Sequence, residues 1–447
     1  MYKKVHFIGI GGISMSALAK ILISNGVEVS GSDITETPIV TELRSMGSKI
    51  AIPHCYECIE NPDIIVYTSA IKDDNPEMVA ARDKGIELVE RATMVGNIMR
   101  AYAMPVAVAG THGKTTTTSM MAYTMIESDL DPTVMVGGEL DILGGNLRIG
   151  KGAHMVTEAC EYCRNFLQFA PKIGMILNIE ADHLDYYKDL DDVIDAFSSF
   201  SNLLPKDGTL VINGDDANCI KASKSAVCNV ITVGIKNGDY KAENITYDKF
   251  GYPSFDVVKN GNTIMHLTLN VVGEHNIYNS LCAIAASLAM TDNTNAIKSG
   301  LEKFTGTKRR FEKKGEVDGI LVVDDYAHHP TEIRATLSAV KKIQSGNVWC
   351  VFQPHTYTRT KTLFDDFADA LADAQNLIIA DIYAAREKDT GLVHARDLAG
   401  AIDGAAYISG FENIAEYFMK NAKEGDIILT MGAGDIFKVG ELILQKR

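Results

Sequence analysis

At roughly 150 residues per domain, a chain of 447 residues points to about three domains. Its 43 basic and 58 acidic side chains leave a formal charge of −15, and 46% hydrophobic with 23% charged residues is an ordinary globular composition. That balance excludes disorder, collagen-like repeats and a polyanion coat, which needs clustered Lys and Arg, so no nucleic-acid partner is expected.

The longest apolar stretch, Leu281 to Met290, is far short of the ~18–20 residues that cross a bilayer, so no membrane partner is expected either. The N-terminus, MYKKVHFIGIGG, enters a strand-like run with no signal-peptide pattern, which predicts a cytoplasmic protein.

In chain order, short β-branched runs alternate with helical lengths, the α/β pattern of parallel sheets. The first strand, Val5–Ile8, runs into Gly9-Ile10-Gly11-Gly12-Ile13-Ser14. Asp33 follows at the spacing of a ribose-binding acid, but Ser14 takes the place of a third glycine. Two readings stay open: an NAD-dependent oxidoreductase with a fused P-loop domain, or any diphosphate at a helix N-terminus, a nucleotide sugar included.

A second start, Pro105–Ala109, runs into Gly110-Thr111-His112-Gly113-Lys114-Thr115-Thr116 and a helical stretch from Thr117 to Ile126. Glycines let backbone N–H groups close on phosphate oxygens, Lys114 can reach the β- and γ-phosphates, and Thr115 offers a hydroxyl to Mg²⁺. Val108 stands where the general pattern has glycine. These residues make ATP and Mg²⁺ the expected cofactors. The strand His154–Glu158 ends in a carboxylate, and Ile176–Asn178 leads into Glu180-Ala181-Asp182-His183. Glu158 and His183 suit a magnesium site, or else cap strand ends or form salt bridges. Phe255–Leu267, turning on Asn260-Gly261, predicts a hairpin.

The last third holds four buried-strand candidates, Ile320–Val323, Val348–Phe352, Leu377–Ala380 and Ile427–Thr430, each with polar residues at its carboxyl end. Boundaries near Met104 and Phe311 divide the chain into residues 1–103, 104–311 and 312–447. Of eight cysteines, Cys55/Cys58 and Cys160/Cys163 form two Cys-x-x-Cys pairs about 100 residues apart, too distant for one zinc ribbon, and both are expected as free thiols in a reducing compartment. His6, His154, His266 and His394 have no partner motif and read as structural.

The ordered set of motifs resembles the Mur ligase family over the whole chain. Its carriers include Gly9-Ile10-Gly11-Gly12 with Met15-Ser16, Thr68-Ser69-Ala70-Ile71, Asn75-Pro76-Glu77, Gly110 to Thr116, Glu158-Ala159, Asn178 to His183, and Gly273-Glu274-His275-Asn276 with Asn279. Arg309-Arg310-Phe311-Glu312, Asp324 to Pro330, Phe352-Gln353-Pro354-His355, Tyr357-Thr358-Arg359-Thr360 and Gly432-Ala433-Gly434-Asp435 complete it.

The resemblance implies three domains: a Rossmann-like N-terminal domain, a central P-loop ATPase-like domain with a mixed sheet, and a Rossmann-like C-terminal domain. It also implies a ligase that activates a carboxylate with ATP and couples an amine, here UDP-N-acetylmuramate and L-alanine, with a murein-peptide recycling ligase as the alternative. Lys114, Glu158, His183, His328 and Arg359 would be catalytic; Thr115 and Glu158 would hold one metal and His183 a second. Asn276, Arg310 and Asp325 would join residues 110–116 on ATP. Gly11, Gly12 and Ser69 would hold the UDP moiety, and Tyr326, His328, His355 and Arg359 would close on the acid and amino acid. A monomer or weak homodimer is expected. Thr356 stands where many members carry arginine, Cys160 and Cys163 where many have charged residues, and no carbamoylated lysine can be assigned.

Overall fold

The computed structural model describes residues 2–184, 186–248, 251–343, 346–385 and 387–445. The fold is α/β with three sheets, as expected, and the chain divides into two units. One comprises residues 1–238 with 282–293; the other comprises 239–281 with 294–447.

In the first unit β1 (Lys4–Ile8), β2 (Glu28–Ser32), β3 (Lys49–Ala51), β4 (Ile64–Tyr67) and β5 (Glu87–Glu90) form a parallel sheet in the order β3-β2-β1-β4-β5. Val5, Phe7 and Ile8 are fully buried, because a central parallel strand is covered on both faces. The strand order reverses between β1 and β4. Open parallel sheets bind ligands beyond their carboxyl ends at such a point. Gly9–Gly12, after β1, and Ser69, after β4, therefore leave neighbouring strands at the same sheet end.

The same unit holds β6 (Met104–Ala109), β7 (Thr133–Leu140), β8 (Gly145–Arg148), β9 (His154–Glu158), β10 (Ile173–Ile176), β11 (Thr209–Asn213) and β12 (Asn229–Gly234). They lie in the order β12-β11-β10-β6-β9-β7-β8, parallel except for β7–β8. Val106 to Ala109 are fully buried at its middle. The helix after β6 runs Lys114–Glu127, three residues earlier than apolar spacing suggests, because its first turn is the polar Lys-Thr-Thr. Residues 282–293 return to this unit late in the chain. Ala283 to Ala286 are fully buried, and Ser287 Oγ lies 2.9 Å from Thr124 Oγ1 of that helix.

The second unit contains the antiparallel meander β13 (Tyr240–Tyr247), β14 (Pro253–Lys259) and β15 (Asn262–Thr268). Asn260 and Gly261 both have positive φ, 51° and 74°, as a two-residue hairpin turn demands. The remaining strands are β16 (Glu312–Val317), β17 (Ile320–Asp325), β18 (Val348–Phe352), β19 (Leu377–Ile379), β20 (Ala406–Tyr407) and β21 (Ile427–Met431). Their order is β16-β17-β21-β18-β19-β20, with β16–β17 alone antiparallel.

One expectation is corrected. Cys55 and Cys58 are not free thiols but are bonded to each other, their Cα atoms 5.3 Å apart, because the 3₁₀ turn Tyr56–Cys58 folds one back on the other. The other six cysteines are free. No helix among the described residues is long and apolar enough to cross a membrane.

Candidate active site

The loop between β6 and the helix Lys114–Glu127 is shaped by two glycines. Gly110 has φ +145°, and a Cβ there would lie 2.9 Å from Leu177 Cβ; Gly113, with φ +85°, caps the helix in the left-handed region. Val108 is inside buried β6, its carbonyl accepting the Ala159 N–H at 2.8 Å, so the turn starts two residues later at Gly110. Asn178 clamps the loop from the end of β10. Its Oδ1 accepts the His112 N–H at 2.8 Å, its Nδ2 donates to His112 O at 3.0 Å, and its carbonyl accepts the Thr111 N–H at 3.0 Å. The His112 ring lies 3.5 Å from Glu180.

Lys114 Nζ donates to Gly110 O at 2.6 Å, Thr111 O at 3.0 Å and the Glu161 carboxylate at 2.9 Å. Glu161 is 2% exposed. Burial works against the Lys114 charge, but Glu161 beside it outweighs burial and holds the ammonium above its ordinary value. Thr115 Oγ1 donates to Glu158 Oε2 at 3.0 Å, and the Gly137 N–H donates to Glu158 Oε1 at 2.5 Å.

His183 falls in a different group from Thr115 and Glu158. It joins Glu161 and Asp182, with one ligand atom from each within 4.8 Å of the others. His183 has φ +55°, and its Nε2 is 3.7 Å from both Glu161 and Asp182. Cys163 and Arg164 also have positive φ, at 54° and 55°. That backward turn follows Glu161, whose carbonyl accepts the Tyr187 hydroxyl at 2.5 Å. The two carboxylates offer the hard oxygens that magnesium takes, and one imidazole can share such a site. Glu161 and Asp182 were not singled out from sequence. The signal was the second carboxylate in Glu158-Ala159-Cys160-Glu161.

In the second unit, β17 ends in Asp324–Asp325. Arg309 is a strut: it donates to Asp324 at 3.1 Å, Gly434 O at 2.9 Å and Gly432 O at 2.6 Å, and stacks over Tyr326 and Phe437. Asp325 turns its carboxylate onto the chain itself, accepting from the Phe311 and Ala327 N–H groups at 2.7 Å each and from Thr336 Oγ1 at 3.2 Å. Burial pushes its carboxyl up to about 6. Asn276, in the helix Glu274–Leu288, is likewise engaged: Nδ2 donates to Val272 O at 2.7 Å and Oδ1 accepts from Asn279 at 3.0 Å.

Around them, Tyr326, His328, His355, Arg310 and Arg359 do come together. The Arg310 guanidinium sits 5.3 Å from the Tyr326 ring centroid, the Tyr326 and His328 rings are 5.3 Å apart, and the His328 and His355 rings 6.2 Å apart. His355 stacks on Tyr383, and its Nδ1 is 3.5 Å from Arg359. Burial, with the Arg359 charge, lowers His355 to about 4, and burial also lowers His328. Both imidazoles stay neutral beside the two arginines. Glu332, not singled out from sequence, holds this group: it accepts the His328 N–H at 3.0 Å, faces His328 Nδ1 at 3.2 Å and Arg310 at 3.6 Å. Thr356 has φ +65° and caps the helix Tyr357–Thr362 by accepting from the Arg359 N–H.

At the N-terminal turn, Asp33 Oδ2 accepts the Gly11 N–H at 2.7 Å and Oδ1 the Ile34 N–H at 2.7 Å. Both carboxylate oxygens thus brace the chain around the turn. Gly12 and Ser69 are exposed.

Three family models match: the Mur ligase family catalytic domain over residues 4–103, the Mur ligase middle domain over 108–287, and the Mur ligase glutamate ligase domain over 309–434. UDP-N-acetylmuramate–L-alanine ligases of Clostridium acetobutylicum and Clostridium botulinum (strain Okra) are 50% and 52% identical, each alignment covering 99% of this chain and 98% of the relative. Among solved structures, the UDP-N-acetylmuramate–alanine ligase of Thermotoga maritima matches with TM-score 0.80 at 30% identity, covering 100% of this chain and 99% of that one. A murein peptide ligase of Psychrobacter arcticus matches with TM-score 0.70 at 26% identity, covering 99% and 98%. Family models along most of its length and full-length relatives at half identity agree: this chain belongs to the Mur ligase family.

Proposed function

We propose that the protein joins L-alanine to the carboxylate of UDP-N-acetylmuramate at the expense of ATP, an early step of peptidoglycan synthesis, in the cytoplasm. The carrying observation is the Lys114 ammonium, fixed at 2.6 Å from Gly110 O in a glycine-shaped loop at a helix N-terminus and set against a carboxylate cluster. Full-length relatives at 50–52% identity, which are such ligases, support the substrate pair over a murein peptide, whose ligase matches at 26%.

Moving the γ-phosphoryl group onto a carboxylate brings two anions together, so fixed cations and N–H dipoles must offset their repulsion. The N–H groups of residues 113–116 at the helix start, those of Thr111 and His112 being held by Asn178, and Lys114 hold the phosphates. Thr115 and Glu158 would hold one Mg²⁺ and His183, with Glu161 and Asp182, a second; bound there, the metal screens phosphate charge. Gly11, Gly12 and Ser69 hold the UDP moiety. Asn276 and Arg310 serve the nucleotide, and Asp325 fixes the loop that carries Tyr326 and His328. Arg359 neutralises the acid, and the uncharged rings of His328 and His355 let an amine approach the acyl phosphate without added positive charge.

The test supplies ATP, Mg²⁺ and UDP-N-acetylmuramate with each amino acid and measures phosphate. L-alanine should give the greatest release. Release that needs no amino acid, or activity that needs a nicotinamide coenzyme, would overturn the reading.

A further inference from the structure

Beneath the N-terminal glycine turn lies a charged group that the reaction does not touch. Glu77 opens the helix Pro76–Asp83 and is 0% exposed. Removing a carboxylate from water is costly unless partners surround it, and here three segments supply them. Its Oε2 accepts the Ser32 hydroxyl at 2.5 Å and lies 3.4 Å from His6 Nε2 and 3.8 Å from His54 Nδ1. Its Oε1 accepts the Cys55 N–H at 3.3 Å, beside the Cys55–Cys58 bond. Asn75 Oδ1 accepts the Glu77 N–H at 2.9 Å. His6 reaches on to Ser30 Oγ at 2.9 Å, and Ser32 Oγ to His54 Nδ1 at 2.7 Å.

Ser32 is the last residue of β2, and it faces two ways. Its side chain is tied to Glu77, while its carbonyl accepts the N–H groups of Gly9 at 2.8 Å and Ile10 at 3.0 Å. The next residue, Asp33, accepts the Gly11 N–H at 2.7 Å. Every main-chain donor from Gly9 to Gly11 is therefore anchored on the tip of β2, and that tip is anchored on Glu77. Burial pushes the Glu77 carboxyl up, but hydrogen bonds from His6 and Ser32 outweigh it and keep the group ionised.

We propose that Glu77 is a positioning residue for the nucleotide-sugar site: through Ser32 it fixes the Gly9–Gly12 turn and the start of the helix Ile13–Ser24 in the geometry that receives the UDP diphosphate. It makes no contact with the ligand itself. The assignment rests on the reading of that turn as the UDP-sugar site.

Calorimetric titration of the full chain with UDP-N-acetylmuramate, without ATP, is the test. Glu77→Gln should weaken binding about tenfold, while affinity for a non-hydrolysable ATP analogue stays within about twofold. Glu77→Asp, which keeps the charge, should recover part of the loss. Leu43→Ala empties a fully buried position of the helix Pro38–Ser45, in the same hydrophobic core as β1 but outside the network; it should lower the unfolding midpoint yet leave UDP-sugar affinity unchanged. If Glu77→Gln fails to fold, Ser32→Ala keeps the carbonyl but cuts the link, and should still weaken UDP-sugar binding several-fold.

Native-like affinity in Glu77→Gln, or in Ser32→Ala, overturns the assignment. So does an equal loss in Leu43→Ala at matched stability, which would reduce Glu77 to a structural role. A native protein that binds no UDP-N-acetylmuramate overturns the reading of the turn first, and the assignment with it.

Discussion

Lys114 and Glu161 are paired at 2.9 Å, and the carboxylate is 2% exposed. Lys114→Ala should abolish ATP-dependent phosphate release and also cost stability, because it strands a buried charge; breaking such a pair costs roughly 3 kcal/mol. Denaturant unfolding should show that loss, and adding Glu161→Gln should restore stability but not turnover. Retained turnover in Lys114→Ala would remove the lysine from the mechanism. Two further residues set opposite pH trends. His355 titrates near 4 in the folded protein against an ordinary 6.5, so the unfolded chain binds more protons between those values and stability is lost as pH falls through that window. Asp325 titrates near 6 against 3.8, so its contribution is complete below 3.8 and lost as pH rises through 6. In urea melts at pH 7 and pH 4.5, His355→Asn should lose less stability on acidification than the native protein, and Asp325→Asn more. Lys114 and Thr115 were legible in the sequence because a glycine loop acts through its own neighbours. Glu161 was not: its place depends on left-handed backbone at Cys163 and Arg164, two residue types that give no sign of it.

Strands were the most legible elements. The four buried runs of the last third became β17, β18, β19 and β21, because burial on both faces demands unbroken apolar stretches. The hairpin on Asn260-Gly261 was equally plain, since few residues accept positive φ. What sequence spacing does not convey is how one element holds another. Asn178, at the end of β10, grips the phosphate loop with both its donor and its acceptor. Asn178→Ala removes two bonds to His112 and should weaken binding of a non-hydrolysable ATP analogue roughly tenfold. UDP-N-acetylmuramate affinity should hold, because the turn after β1 rests on Ser32 and Asp33 instead. Equal weakening of both ligands in parallel titrations would show general unfolding rather than loss of a loop clamp. Asp33 teaches the same point: its spacing matched a ribose acid, while its oxygens brace Gly11 and Ile34.

At the scale of the whole molecule, the family resemblance was legible because its motifs recur in order along the entire chain. The division into two units was not, because the first of them is discontinuous: residues 282–293 belong with 1–238. Fully buried Ala283 to Ala286 lie in that returning segment, and Ser287 partners the Thr124 hydroxyl. A fragment ending at residue 238 should therefore lack a cooperative thermal transition in calorimetry, and a sharp transition like that of the full chain would contradict this. The return also sets a timetable. On the ribosome, the segment that completes the first unit ends 55 residues after residue 238. At ~5–20 residues per second this is a delay of roughly 3–11 s, during which nascent chain carrying the phosphate loop must shield an unfinished apolar face. Translation speed between residues 239 and 293 thus becomes a determinant of yield, and chaperone demand should peak in that interval.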